Sequence, residues 1–228
     1  VIRDLAGARW TDVEPERWTV AVPVGSLEQH GPHLPLDTDT RIATAVAEAL
    51  PDVLVAPPLA YGASGEHEAF PGTVSLGVDA LRTVFVEYGR SICRWARRVL
   101  FVNGHGGNAY ALAEAVSLLR YEGRDAAWIP CAVPRADAHA GATETSLMLH
   151  LCPGSVDMGR AVVGNTDSIA SLMPRLREAG MVSVSANGVL GDPTTATAEQ
   201  GARLFAHLTE QARSQVARWE PGTEGGLR

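Results

Sequence analysis

Short, wholly apolar segments recur along this chain, and stretches with apolar residues at helical spacing separate them. Thr19–Val24 (TVAVPV), Val53–Ala56, Val99–Val102 (VLFV) and Ala126–Val133 read as strands without a polar face. Arg41–Leu50, Val78–Ala96, Ala109–Tyr121 and Glu144–Leu151 read as helices, as does a segment running from Thr197 to about Trp219. A strand that is apolar on both sides needs cover on both sides, and the alternating helices supply it. The pattern predicts an α/β domain built on a mostly parallel central sheet. Thr197-Ala-Glu-Gln200 fits a capping box at the start of the last helix. Residues 154–193 are polar and glycine-rich and give a weak signal. Residues 1–219 are read as one domain and residues 220–228 (EPGTEGGLR) as a flexible tail.

Composition narrows the function. With 19 Lys+Arg against 26 Asp+Glu, the formal net charge is −7 and no basic block occurs, which argues against a nucleic-acid partner. No apolar run approaches the roughly 18–20 residues of a membrane helix, so no membrane partner is expected. The first ten residues carry an early Asp and no apolar core, which predicts no secretory signal in them, and a start at Val rather than Met predicts a few residues upstream. Three scattered cysteines, Cys93, Cys131 and Cys152, form neither a disulfide framework nor a CxxC site, and the expected location is the cytoplasm.

Ligands of such sheets bind beyond the carboxyl ends of the strands, and the chemistry-bearing residues cluster there. After the first strand, Glu28, His30, His33, Asp37 and Asp39 fall within 12 residues, in a loop stiffened by Pro32 and Pro35. Mixed imidazole and carboxylate donors suit Zn, Mn or Fe better than Mg or Ca. Read singly, each belongs as easily to a polar loop, with Asp37 or Thr38 capping the next helix. After the third strand, Asn103-Gly-His105-Gly-Gly-Asn108 sets a histidine in a turn too glycine-rich for helix. The same text satisfies a relaxed GxGxxA dinucleotide fingerprint with Asp125 downstream, which keeps a nucleotide-binding oxidoreductase as a rival reading. A third cluster holds His139 and Glu144, and Glu144 alone could merely complement a helix N-terminus. Gly62–Thr73, with His67, is a loop that lines or closes the pocket. Ser26, Ser64 and the cysteines lack an adjacent base, which disfavours a covalent nucleophile. A catalytically silent scaffold that keeps metal for stability is a further rival.

EQHGPHLPLDTDT, VNGHGGN and HAGATETSLML, in this order and spacing, resemble the creatininase family of metal-dependent amidohydrolases. The resemblance runs from about Val20 to Met158 and resumes at Gly188–Pro193. It implies a three-layer α/β/α fold, two divalent ions per subunit (Zn, Fe or Mn) and a homo-oligomer. It assigns Glu28 and His105 to the first metal, His30 to the second and Asp39 to both. His139 takes the proton-transfer role. Gly107 stands where creatininase has a further metal-binding glutamate, and Glu144 is its natural replacement.

Creatininase also carries a tryptophan-bearing lid before the histidine that His139 matches. Here the segment from Trp128 to His139 is short, with Arg135 at the nearest position, which points away from a small cyclic amide such as creatinine. The compact length, LPLDTDT and YGASGEHEAFPGTVSLG look most like the subgroup encoded with the mycofactocin pathway. That resemblance implies a peptidase that trims a modified precursor peptide and releases its C-terminal Val–Tyr-derived dipeptide. Arg135 and His67 are then candidates for binding substrate, Arg135 through a peptide carboxylate.

Overall fold

The computed structural model describes residues 3–134 and 136–228. Four strands, β1 (Thr19–Val24), β2 (Val53–Val55), β3 (Arg98–Asn103) and β4 (Ala126–Pro130), form one sheet in the order β2-β1-β3-β4. All neighbours are parallel, with Val22 opposite Phe101 and Phe101 opposite Trp128. Six helices cover it: α1 (Thr38–Ala49), α2 (Val78–Ile92), α3 (Ala109–Tyr121), α4 (Ala142–Leu151), α5 (Ile169–Ala179) and α6 (Ala198–Arg218).

Side chains alternate across each strand, so one apolar sequence feeds two cores. Val20, Val22, Val24, Leu54, Val99 and Phe101 pack with Leu81 and Phe85 of α2 and Leu112, Val116 and Leu119 of α3. Ala21, Val53, Val55, Leu100, Val102 and Ile129 face the other way, onto α1, α4 and α6. The result is the predicted three-layer α/β/α arrangement.

Pro23 lies in a central strand, where a missing N–H normally breaks the ladder. In β1 the odd-numbered residues point toward β2: the carbonyls of Ala21 and Pro23 accept from the N–H groups of Ala56 and Leu59. Strand β2 has already ended at Val55, so the absent N–H of Pro23 faces a loop containing Pro57 and Pro58. Nothing in the ladder is lost.

Two expectations need correction. Strand β4 stops at Pro130 rather than Val133, because the chain leaves the sheet there to cross the carboxyl ends of the strands. The tail is docked rather than loose. Leu227 is buried, its N–H donates to the Trp128 carbonyl, and the Trp128 N–H donates to the Gly225 carbonyl. Helix α6 opens at its predicted cap, with the Thr197 hydroxyl accepting from the Gln200 N–H at 3.1 Å. Among the described residues no helix is long and apolar enough to cross a membrane.

Candidate metal centre

The β1–α1 loop leaves the sheet at Gly25 and returns at α1, bringing Glu28, His30 and Asp39 into one buried cluster. The β3–α3 turn adds His105. The His30 Nε2 lies 3.1 Å from Asp39 Oδ1, and His105 Nδ1 lies 3.2 Å from Asp39 Oδ2 and 3.3 Å from Glu28 Oε1. Ser26 donates to Asp39 Oδ2 at 2.8 Å, and the Ser64 hydroxyl donates to Glu28 Oε2. Asp39 thus touches both histidines with different oxygens, as a shared ligand would.

His139 and Glu144 arrive from the loop before α4 and from its first turn. Ala140 between them takes a left-handed conformation (φ 52°), which reverses the chain so that its N–H donates to Glu144 Oε2 at 2.6 Å. The rings of His30 and His139 are 4.4 Å apart. Side-chain donors converge as Glu28–Asp39–His105, as His30–His139–Glu144 and as Glu28–His67–His139.

The electrostatics follow from burying acids beside imidazoles. Burial opposes charge on Glu28, yet the charge of the neighbouring His105 holds the carboxyl down at about 2. Burial likewise opposes the cation of His30, and Asp39, aided by Glu144 and Glu28, lifts it to about 10. Burial pushes Glu144 up to about 7, against the pull of His30. His139 is driven down to about 3 by burial and by the neighbouring His30 and His67, so its ring is neutral at physiological pH. The half-buried thiols of Cys93 and Cys131 are pushed up by desolvation to about 11 and about 12, so neither of these two is a thiolate poised for covalent attack.

A divalent ion fits this donor set. The cluster is made of carboxylates and imidazoles, and Glu28 Oε1 is buried without a hydrogen-bond partner. Glu28, Asp39 and His105 bring their donor atoms within 4.8 Å of one another, close enough to hold an ion, and so do His30, His139 and Glu144.

Gly107 is held to glycine by packing: a Cβ there would lie 2.4 Å from the Ala63 carbonyl oxygen and 2.4 Å from His105 Nε2. No side-chain ligand can stand at that position without displacing His105. Gly107→Ala is expected to cost about 1–3 kcal/mol through overpacking. It should also lower metal content, read by thermal unfolding and by elemental analysis of the purified variant.

A cleft of about 360 Å³ opens onto this floor. Asp39, His67, His105, His139 and Glu144 line its base, while Ile169, Met173 and Leu176 of α5, with Met181 and Leu190, form an apolar wall. His67 is in place through the 3-10 turn Gly65–His67, which also sets Glu66 at the rim. The structure does not bring His33 or Asp37 to the cluster. His33 Nε2 pairs with the Thr145 hydroxyl at 2.8 Å, and Asp37 pairs with Arg41 at 2.7 Å, one turn along α1. His150 and His207 are exposed on their helices. Arg135 lies outside the described residues. Sequence reasoning missed Gln29 and the α5 wall, and it read Ser64 only as an unactivated hydroxyl rather than as a donor to Glu28. Gln29 stood in the motif as a spacer between two ligands, and α5 carries Pro174 inside it, which disguises a helix.

The dinucleotide reading of Gly104–Ala109 fails on its context. His105 turns toward the carboxylates, and Asp125 precedes β4, pairing with Arg98 rather than closing a strand.

A parallel sheet covered on both faces, with a buried carboxylate–imidazole cluster beyond its strand ends, defines a metallohydrolase of the α/β/α class. The chain belongs to the creatininase family, whose model, described as creatinine amidohydrolase, matches residues 6–216, and it is a hydrolase of amide bonds. It is 60% identical over 217 residues to the mycofactocin precursor peptide peptidase of Mycolicibacterium smegmatis, covering 91% of this chain and 88% of that protein. The protein of the same name from Mycobacterium tuberculosis is 52% identical over 240 residues, covering 100% and 96%. Among solved structures, a manganese creatininase superposes with a TM-score of 0.79 at 26% identity, covering 97% of this chain and 100% of that one.

Proposed function

We propose that this protein cleaves an amide bond near the C-terminus of a modified mycofactocin precursor peptide and releases the Val–Tyr-derived dipeptide. The observation that carries the reading is the two-sided cleft. An apolar wall of Ile169, Met173, Leu176, Met181 and Leu190 faces the polar floor, which suits a peptide with bulky apolar side chains better than a small polar ring. The relatives' shared name supports the same substrate.

Glu28, Asp39 and His105 would hold one divalent ion and His30, Asp39 and Glu144 another, with Zn, Fe and Mn all compatible with these donors. When bound, such ions lower the pKa of water and polarise a carbonyl. The rest belongs to the chain. His139 donates Nε2–H to the Gln29 carbonyl at 2.8 Å, which leaves Nδ1 bare toward the cluster. That nitrogen accepts a proton from the attacking water and returns one to the departing amine. Water adds across the C–N bond, and a carboxylate and an amine leave. The apolar wall excludes bulk water and holds the side chains beside the scissile bond. Three unpaired cysteines among the described residues support a cytoplasmic setting, and exposed Tyr110 and Tyr121 support a homo-oligomer.

The test is mass spectrometry of metal-loaded protein incubated with the modified peptide, the unmodified peptide and creatinine. Release of the C-terminal dipeptide from the modified peptide alone is expected. Dialysis against a chelator should abolish that release, and Zn, Mn or Fe should restore it. Opening of creatinine with the peptide untouched would overturn the substrate assignment.

A further inference from the structure

Gln29 lies between two proposed ligands, and its own amide is satisfied by backbone. The Gly31 N–H donates to Gln29 Oε1 at 2.9 Å, and Gln29 Nε2 donates to the Gly188 carbonyl at 3.0 Å. These two contacts fix which end of the amide carries hydrogen. Gly188 is built around it, because a Cβ there would lie 1.9 Å from Gln29 Oε1. One N–H of Gln29 remains. Two histidine nitrogens are within reach, His67 Nδ1 at 2.9 Å and His139 Nε2 at 3.1 Å. The His139 nitrogen already donates its own hydrogen to the Gln29 backbone carbonyl, so it cannot accept. The remaining N–H therefore goes to His67 Nδ1.

An imidazole that accepts at Nδ1 carries its hydrogen on Nε2 when neutral. His67 Nε2 points at Glu28 Oε1, 3.5 Å away, and His139 Nδ1 points at the same atom from 3.9 Å. The two rings are 4.5 Å apart, and both line the cleft. The bare nitrogen of His139 and the N–H of His67 thus converge on Glu28 Oε1 at the floor of the cleft, with Glu66 Oε1 at the rim 4.0 Å from His67 Nε2. The same tautomer removes His67 from the metal donors, since its inward nitrogen has no free lone pair.

We infer that His67 is a catalytic residue whose Nε2–H donates to the carbonyl oxygen of the scissile amide as negative charge develops there, with Gln29 as the positioning residue that fixes its tautomer. The inference rests on the amide-hydrolase reading above. His67 gives up no proton: the hydrogen bond strengthens as the oxygen gains charge and relaxes when the C–N bond breaks.

The experiment combines imidazole ¹⁵N spectra of metal-loaded protein with kinetics on the cleaved peptide. His67 should show the Nε2–H tautomer in the wild type and the Nδ1–H tautomer in Gln29→Glu, whose carboxylate accepts instead of donating. His67→Leu should lose about 10²–10³-fold in kcat with KM, thermal unfolding and metal content unchanged. His67→Gln, which returns an N–H near the same place, should recover to within about tenfold of wild type. A wild-type ring bare at Nε2, loss of a metal equivalent in His67→Leu, or unchanged kcat in that variant overturns the His67 role alone. A wild type that cleaves no amide overturns the functional reading beneath it.

Discussion

Asp39→Asn is expected to lose activity by about 10³-fold or more and to purify with clearly less metal than the wild type. The substitution keeps the shape of the side chain and removes one charge. Asp39 is the only described carboxylate that meets both His30, at 3.1 Å, and His105, at 3.2 Å, and it does so with separate oxygens. An amide presents one oxygen and one NH₂, so one of the two contacts becomes a donor facing a donor. The several kcal/mol that bound cations supply to a developing oxyanion correspond to about 10³-fold in rate at 1.4 kcal/mol per decade. Burial already disfavours charge at this position, and the Asp39 carboxyl is nevertheless held well below its usual range by His30 and His105. Parallel elemental analysis and steady-state kinetics check the result. Full metal content and full turnover in the Asp39→Asn variant would remove Asp39 from the centre.

His139→Ala should behave differently, keeping its metal and its fold while kcat falls by about 10²–10⁴-fold. The contrast follows from what each side chain touches. His139 hangs from its own Nε2–H···O=C bond to Gln29, and its other nitrogen stands 3.9 Å from Glu28, farther than any of the ligand contacts above. A neutral ring is what the proposed proton-transfer role requires. Burial and the neighbouring His30 and His67 keep it neutral far below the pH at which an exposed histidine would protonate. Loss of metal together with activity in His139→Ala would make it a ligand, as its approach to His30 and Glu144 allows. The pair of variants therefore separates a metal-holding side chain from a proton-moving one by metal content, with activity as the common readout.

Much of the fold is legible in the sequence. TVAVPV and VLFV have no polar face, and a strand like that is stable only when helices cover both sides, which is what the sequence alternates with it. The apolar spacing gave the start of α2 and both ends of α3, whereas α2 stops at Ile92 rather than at Ala96. The tail was misread because EPGTEGGLR has the composition of a loose end. Its single Leu227 finds a gap beside α6 and Trp128 that only the assembled sheet creates. Helix α5 was hidden by Pro174 and by an apolar stripe that serves the cleft rather than the main core.

The sequence by itself determined the donor types of the centre and the strand ends on which they gather. Spacing along a rigid Gly/Pro loop and a glycine turn is a local property, and parallel strands deliver such loops to one edge. Only the tertiary structure decided which candidates meet. His33 and Asp37 stand in the same loop as Glu28 and His30, yet they pair with Thr145 and Arg41. His67 and Gln29, 38 positions apart, become a single hydrogen-bonded unit. The physical reason is that a side chain's direction and the tautomer of an imidazole are set by the neighbours that fold against it. Those neighbours come from Gly31, Gly188 and His139, which are brought together only when the loops close over the sheet.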